Sequence, residues 1–170
     1  DSIYTDNSGR FVFKPKEKID REGLYRFLLS SNKFIDFIFD YNDIEFLTEY
    51  NHPADSLIIN KSESNKLFYQ FLKVNRDYKT KNELLQIILT HYPPYDEYYD
   101  LTKERLIKLQ NEYLDFINNI SQKKPESFIA RYIYSSQLPV VELKIPNDQQ
   151  LNFLKSFALQ KVNFDDYDLI

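Results

Sequence analysis

Glycine stops early in this chain. Of 170 residues only Gly9 and Gly23 are glycine, and none occurs in the 147 that follow. Glycine supplies the positive φ that tight turns demand, so its loss after residue 23 marks a change of architecture. Before about Asn60 the apolar residues come in short runs split by turn residues. After it they recur at helical spacing.

In the first part Asp6-Asn7-Ser8-Gly9 separates Ile3-Tyr4-Thr5 from Arg10-Phe11-Val12-Phe13-Lys14, the pattern of a β-hairpin. Further short strands are expected at Leu24 to Leu29, Phe34 to Phe39, Ile44 to Leu47 and Leu57 to Ile59. Phe34 to Phe39 is apolar on both faces except at Asp36, which predicts a central strand covered on both sides.

In the second part Ser64 is placed to cap a helix from Asn65 to about Tyr78, with Leu67, Phe68, Phe71, Leu72 and Asn75 on one face. Thr80-Lys81-Asn82-Glu83 has the capping-box form and predicts a new helix through Leu84, Leu85, Ile87, Ile88 and Leu89, stopped by Pro93-Pro94. The longest helix is expected from near Asp100 to about Ile120, with Leu106, Leu109, Tyr113, Phe116 and Ile120 as its stripe. Pro125 opens another, with Phe128, Ile129, Tyr132 and Ile133 inward. A last one begins at Pro146 or Asn147 and carries Leu151, Leu154 and Phe157. The fold class that follows is α+β: a small antiparallel β-sheet or sandwich at the N-terminus, then an all-helical bundle. It divides into a β-rich subdomain over 1–60 and a helical subdomain over 61–170.

Composition narrows function by exclusion. Lys and Arg number 22 against 26 Asp and Glu, so the net charge is −4, without the basic footprint of a general nucleic-acid binder. There is no cysteine, which removes a disulfide framework, a thiolate metal site and a cysteine nucleophile from these residues. No apolar run approaches membrane-spanning length, and no signal peptide is visible. The chain has no Met, so it reads as a processed chain or part of a longer one. A compact chain of this mass would expose roughly 9,000 of roughly 30,000 Å².

Candidate chemistry is sparse. His52 and His91 are the only histidines; one sits in a predicted loop and the other at a helix end, where its cation suits the macrodipole. Asp36, Asp40, Asp43, Glu45 and Glu49, then Asp96, Glu97 and Asp100, then Asp165, Asp166 and Asp168, are acids without a calcium-loop glycine nearby. A pair of them across a cleft would make a carboxylate-dependent hydrolase acting on carbohydrate, a reading kept as an alternative. Ser30, Ser31, Ser62 and Ser64 lack the nucleophile-elbow glycines, and no glycine-rich phosphate loop is possible. Gly9-Arg10-Phe11-Val12-Phe13 only faintly echoes an RNA-recognition strand and reads as a core strand. No catalytic, metal-binding or cofactor-binding residue is assigned. The unusual segment is Tyr92-Pro93-Pro94-Tyr95-Asp96-Glu97-Tyr98-Tyr99. Tyrosine gives large contact area at low entropy with a polar tip, so Tyr92, Tyr95, Tyr98 and Tyr99 are the binding candidates. With aromatics at 16%, an oligomerising structural module is a further alternative.

The ordered series Asp1-Ser2-Ile3-Tyr4-Thr5-Asp6-Asn7-Ser8-Gly9-Arg10-Phe11-Val12-Phe13, Gly23-Leu24-Tyr25 and Leu57-Ile58-Ile59-Asn60-Lys61-Ser62-Glu63-Ser64-Asn65 resembles the N-terminal accessory region of secreted thioredoxin-like (TlpA-type) proteins of Gram-negative bacteria. Lys61 stands where that family usually has glycine. The resemblance implies a periplasmic or cell-envelope location, often with a lipid anchor. It also implies a downstream thioredoxin-like domain carrying the Cys-x-x-Cys chemistry, or another envelope protein, as partner. It carries no catalytic residue onto these positions, so the expectation is a non-enzymatic accessory domain needing no cofactor.

Overall fold

The computed structural model describes residues 3–15, 19–140 and 147–169. Four strands precede four helices: β1 (Gly23–Ser30), β2 (Lys33–Phe39), β3 (Glu45–Leu47), β4 (Ile58–Lys61), α1 (Glu63–His91), α2 (Glu97–Lys123), α3 (Phe128–Ser135) and α4 (Asn147–Gln160). The chain is therefore α+β, with small antiparallel sheets followed by helices. Strand and helix meet at Ser62.

The β-part is two ribbons. β1 and β2 pair antiparallel with Leu24 opposite Ile38, Arg26 opposite Asp36 and Phe27 opposite Ile35; β3 pairs with β4. Directly opposed residues share a face, so Phe27 lies with Ile35 and Leu24 with Ile38. On the Phe27 face Phe11 stacks at 5.0 Å between ring centres, and Phe46 of β3 meets both rings edge-on at 6.1 and 6.4 Å. These three rings join the ribbons.

The expected N-terminal hairpin is half there. Its turn forms: Asp6 Oδ1 accepts from the N–H groups of Ser8 and Arg10, and Gly9 takes φ 77°. Its arms do not pair as strands. Phe11 instead goes onto Phe27, and Val12 stays exposed.

β2 is covered on both faces, as expected, but it is not central. Its one strand neighbour among the described residues is β1, and α1 occupies its other edge. Asn65 Oδ1 accepts from the Ile38 N–H at 2.8 Å, and Asn65 Nδ2 donates to the Ile38 carbonyl at 2.8 Å. The Tyr69 hydroxyl donates to the Asp36 carbonyl at 2.7 Å. Residues 36 and 38 turn their peptide groups away from β1, so helix side chains satisfy an edge that would otherwise be open.

The helical part departs from expectation at several points, among them Leu72, which is exposed rather than on the packed face. Ser62, not Ser64, is the N-cap, and its hydroxyl accepts from Asn65 N–H; it does so at φ 123°, where glycine is at ease and serine is strained. No break occurs at Thr80, so α1 runs 29 residues and is longer than α2 at 27. The segment from Asp77 to Glu83 holds neither proline nor glycine, so nothing interrupts the hydrogen-bond ladder and the capping-box residues are absorbed. Pro93-Pro94 do end the helix. α3 begins at Phe128 with Ser127 as its N-cap, not at Pro125, which lies in the turn before it; Phe128, Ile129 and Ile133 are buried as expected, and Tyr132 is half-buried. In α4 Leu154 and Phe157 are half-buried; the Leu151 side chain and Pro146 lie outside the described residues.

The core is shared by both parts. Phe68, Phe71 and Tyr78 of α1 pack with Leu109, Tyr113 and Ile117 of α2, Phe128, Ile129 and Ile133 of α3, and Ile38 of β2. Tyr78 and Tyr113 stack at 4.1 Å between ring centres; the Tyr113 hydroxyl donates to Asn75 Oδ1 and accepts from Leu138 N–H. At the rim Arg131 gathers Glu22, Asp166 and Asp168 at 2.9, 2.7 and 3.3 Å, tying the lead into β1 and the C-terminal segment to α3. Burial pulls the Arg131 guanidinium down, and the hydrogen bonds and charges of Glu22 and Asp166 more than reverse it, so its pKa is raised. The whole exposes 12470 Å², well above the roughly 9,000 Å² of a compact chain of this mass.

Two outcomes test this packing. Asn65 is fully buried, so Asn65→Ala strands a buried donor and acceptor of β2 and should destabilise by about 3 kcal/mol in urea unfolding. Burial first, and then the neighbouring Asp36 for Tyr69 and Tyr113 for Tyr78, pushes those hydroxyls up to about 12; burial does the same for Tyr113 against the lowering Leu138 N–H bond. Their ordinary value is near 10, so both states hold the proton below that pH and stability is complete there. Between pH 10 and 12 only the unfolded chain ionises, and stability falls. Absorbance at the tyrosinate band should show these three rings ionising together with unfolding rather than before it.

Candidate functional site: the tip of the helical hairpin

α1 and α2 form an antiparallel hairpin, and the tyrosine-rich segment is its tip. Tyr92 is the C-cap of α1, with its N–H bonded to the Ile88 carbonyl at 2.9 Å. Pro93 and Pro94 cannot continue the helix, and Asp96 N–H returns to the Pro93 carbonyl at 3.2 Å. Asp96 then caps α2, its Oδ1 accepting from Tyr98 N–H at 2.8 Å. Glu97 and Asp100 follow in the first turn, where the helix dipole favours them. The loop is thus closed at both ends by backbone and carboxylate hydrogen bonds.

That closure holds the rings in place. Tyr92 and Tyr98 meet edge-to-face at 5.1 Å between centres, one from each helix end. Tyr92 is 41% exposed, Tyr98 48% and Tyr95 91%. Tyr99, about 100° further around the helix than Tyr98, is half-buried and belongs to the packing rather than the outer surface. Three of the four tyrosine candidates therefore share an exposed tip.

Composition did not single out the apolar neighbours Leu84, Ile87 and Leu101, which are exposed beside these rings in sequence. A signal was present. Leu84, Leu85, Ile87, Ile88 and Leu89 are five apolar residues in six positions, more than one face of a helix can bury. Leu85, Ile88 and Leu89 take the inner side, and Leu84 and Ile87 are left outside.

Several of the other candidates have structural partners. Asp36 makes a two-pronged pair with Arg26 at 2.6 and 2.8 Å, and Arg26 also lies over the Phe34 ring. Asp40 accepts from the Ser64 hydroxyl, and Glu45 accepts from Asn60. Hydrogen bonding and then charge from Lys61 hold Asp43 below the usual carboxylate range; the Ser8 hydroxyl and then the Arg10 N–H do the same for Asp6. Asp166 and Asp168 converge on Arg131 with Glu22, so the acids gathered there surround a cation. Ser62 is a helix cap, and Ser30 bonds to Asn32 within a turn. His52 lies in a turn whose carbonyl accepts from Ser56, and His91 is in the last turn of α1. Among the described residues no group of three or more His, Cys, Asp or Glu is placed to hold a metal ion, and no helix is long and apolar enough to cross a membrane.

No family model, curated protein or solved structure matches the chain.

Because Tyr95 makes so little contact with its own chain, Tyr95→Ala should change stability by less than about 0.5 kcal/mol in urea unfolding. The double change Tyr92→Ala with Tyr98→Ala removes a ring pair and should cost about 1 kcal/mol, with the helical far-ultraviolet signal retained.

Proposed function

We propose that this chain is a non-catalytic N-terminal accessory domain of a periplasmic, membrane-anchored thioredoxin-like thiol-disulfide oxidoreductase. In this reading it supplies protein–protein or interdomain contacts, and the observation that carries it is the hairpin tip. Three tyrosine rings stand outside the core on a loop whose backbone is tied at both ends. Contact area that is held still before binding loses little entropy on binding.

The absence of cysteine supports the division of labour, since thiol chemistry in such a protein must come from another part of it. The resembling motif supports it in a second way, because its residues here do structural work. Asp6 and Gly9 build the turn, Ser62 caps α1, and Asn65 holds β2. A segment whose recurring residues are structural is suited to a scaffold.

Two experiments decide the reading. The encoded chain should continue beyond residue 170 into a Cys-x-x-Cys thioredoxin fold; a stop codon at that point removes the redox parent. In the full-length protein, a photo-cross-linking residue at Tyr95 should link to the redox domain or to one defined envelope protein, while the same residue at Glu112 should not. Equal labelling at both positions would leave the tip without a contact role.

A further inference from the structure

The charge of this protein is not spread evenly. From Asn82 to Thr102 there is no Lys or Arg, while Glu83, Asp96, Glu97 and Asp100 give that stretch a net −4. The whole chain carries 22 cations and 26 acids, so the other residues hold 22 of each and balance. The net charge therefore equals that of this stretch, with Asp96, Glu97 and Asp100 next to the exposed rings in sequence and Glu83 about two turns further down α1.

Some acids outside this stretch meet cations: Asp36 with Arg26, Asp43 with Lys61, Glu63 with Lys66, Glu112 with Lys108, and the three carboxylates on Arg131. Others bond to neutral groups, as Asp40 does to Ser64 and Glu45 to Asn60. Glu83, Glu97 and Asp100 are exposed, and among the described residues none of them has a cationic partner.

We infer that the hairpin tip docks a basic protein segment, one that lays Lys or Arg side chains over Tyr92, Tyr95 and Tyr98 with their charged ends against Glu97, Asp100 and Glu83. This rests on the reading of the tip as a contact surface and names the chemistry of its partner. A purely apolar partner would cover Leu84, Ile87 and Leu101 but would strip water from unpaired carboxylates beside them, which is unfavourable. A Lys or Arg side chain meets both demands. Its aliphatic stem covers apolar surface, its cation sits over a tyrosine face, and its charge answers the carboxylates. The same unbalanced charge draws a basic partner towards the tip before contact, within a screening length of about 8 Å at physiological salt.

The test is a nuclear magnetic resonance titration of the whole chain with a synthetic peptide alternating Arg and Ala, and with its counterpart carrying Glu for every Arg. The Arg peptide should shift amides concentrated over residues 82–102, and its affinity should fall as salt rises. Glu97→Gln with Asp100→Asn should weaken it about tenfold, as should Tyr92→Ala with Tyr95→Ala, whereas Glu49→Gln should not. These residues are exposed, and unfolding curves report whether each variant keeps its fold. Shifts scattered over acids throughout the chain, or equal binding by the neutralised variant, would overturn the inference. A peptide alternating Leu and Ser that shifts residues 82–102 regardless of salt would also overturn it, while leaving the tip a contact surface. If Tyr95 cross-linking in the full-length protein is no more specific than at Glu112 and no peptide perturbs the tip, both readings fall.

Discussion

One side chain joins the two halves of this molecule. A two-stranded ribbon is marginal alone because each strand has an open edge and at most one covered face. Asn65 answers both peptide groups of Ile38 from the first turn of α1, as a third strand would, and Tyr69 continues the edge one turn later at Asp36. The same Asn65 donates to the Ser62 hydroxyl that caps its helix. The start of α1 and the position of β2 are therefore set together. Ile38 is thereby delivered into the helical core, which explains why a chain divisible near residue 60 by composition has one shared interior.

What could be read in advance follows the range of the interactions involved. Strands β1 to β4, the stop at Pro93-Pro94 and the inward face of α3 depend on neighbours in sequence, and they were legible. The arms at Ile3 to Thr5 and Arg10 to Lys14 were not, because the position of Phe11 is decided by stacking on Phe27 and Phe46, far along the chain. Thr80 to Glu83 carried a valid local start signal, yet the stacked Tyr78 and Tyr113 pack α1 onto α2 there and leave no reason for the helix to end. The strained φ at Ser62 had no local signature, since serine is an ordinary cap and glycine would announce the conformation.

The tip was legible as an oddity of composition but not as a surface. Four tyrosines in eight residues suggested contact, and the separation of Tyr99 from the other three needed the helix phase. The exposed Leu84 and Ile87 needed the knowledge that α1 runs on unbroken and so presents a fixed face past Thr80. Length in a helix has this consequence: once the inward stripe is committed near Phe68 and Phe71, the orientation of every later residue follows.

That coupling bears on how the tip could act. The rings at Tyr92 and Tyr98 lie at the far end of two helices whose other ends are built into the core and the β-ribbon. Between them stand the Tyr78 and Tyr113 stack and the Tyr113 hydroxyl, which bridges Asn75 of α1 and the Leu138 N–H beyond α3. A hairpin braced in this way holds its tip at a set distance and angle from the β-part. Force or occupancy at the tip is then resisted by buried packing rather than by the loop alone. A contact surface on a flexible loop would have to be ordered by each partner, whereas here most of that ordering is complete once the domain has folded. The surface and the core are for that reason one problem in this protein: the aromatic rings inside the hairpin position those outside it.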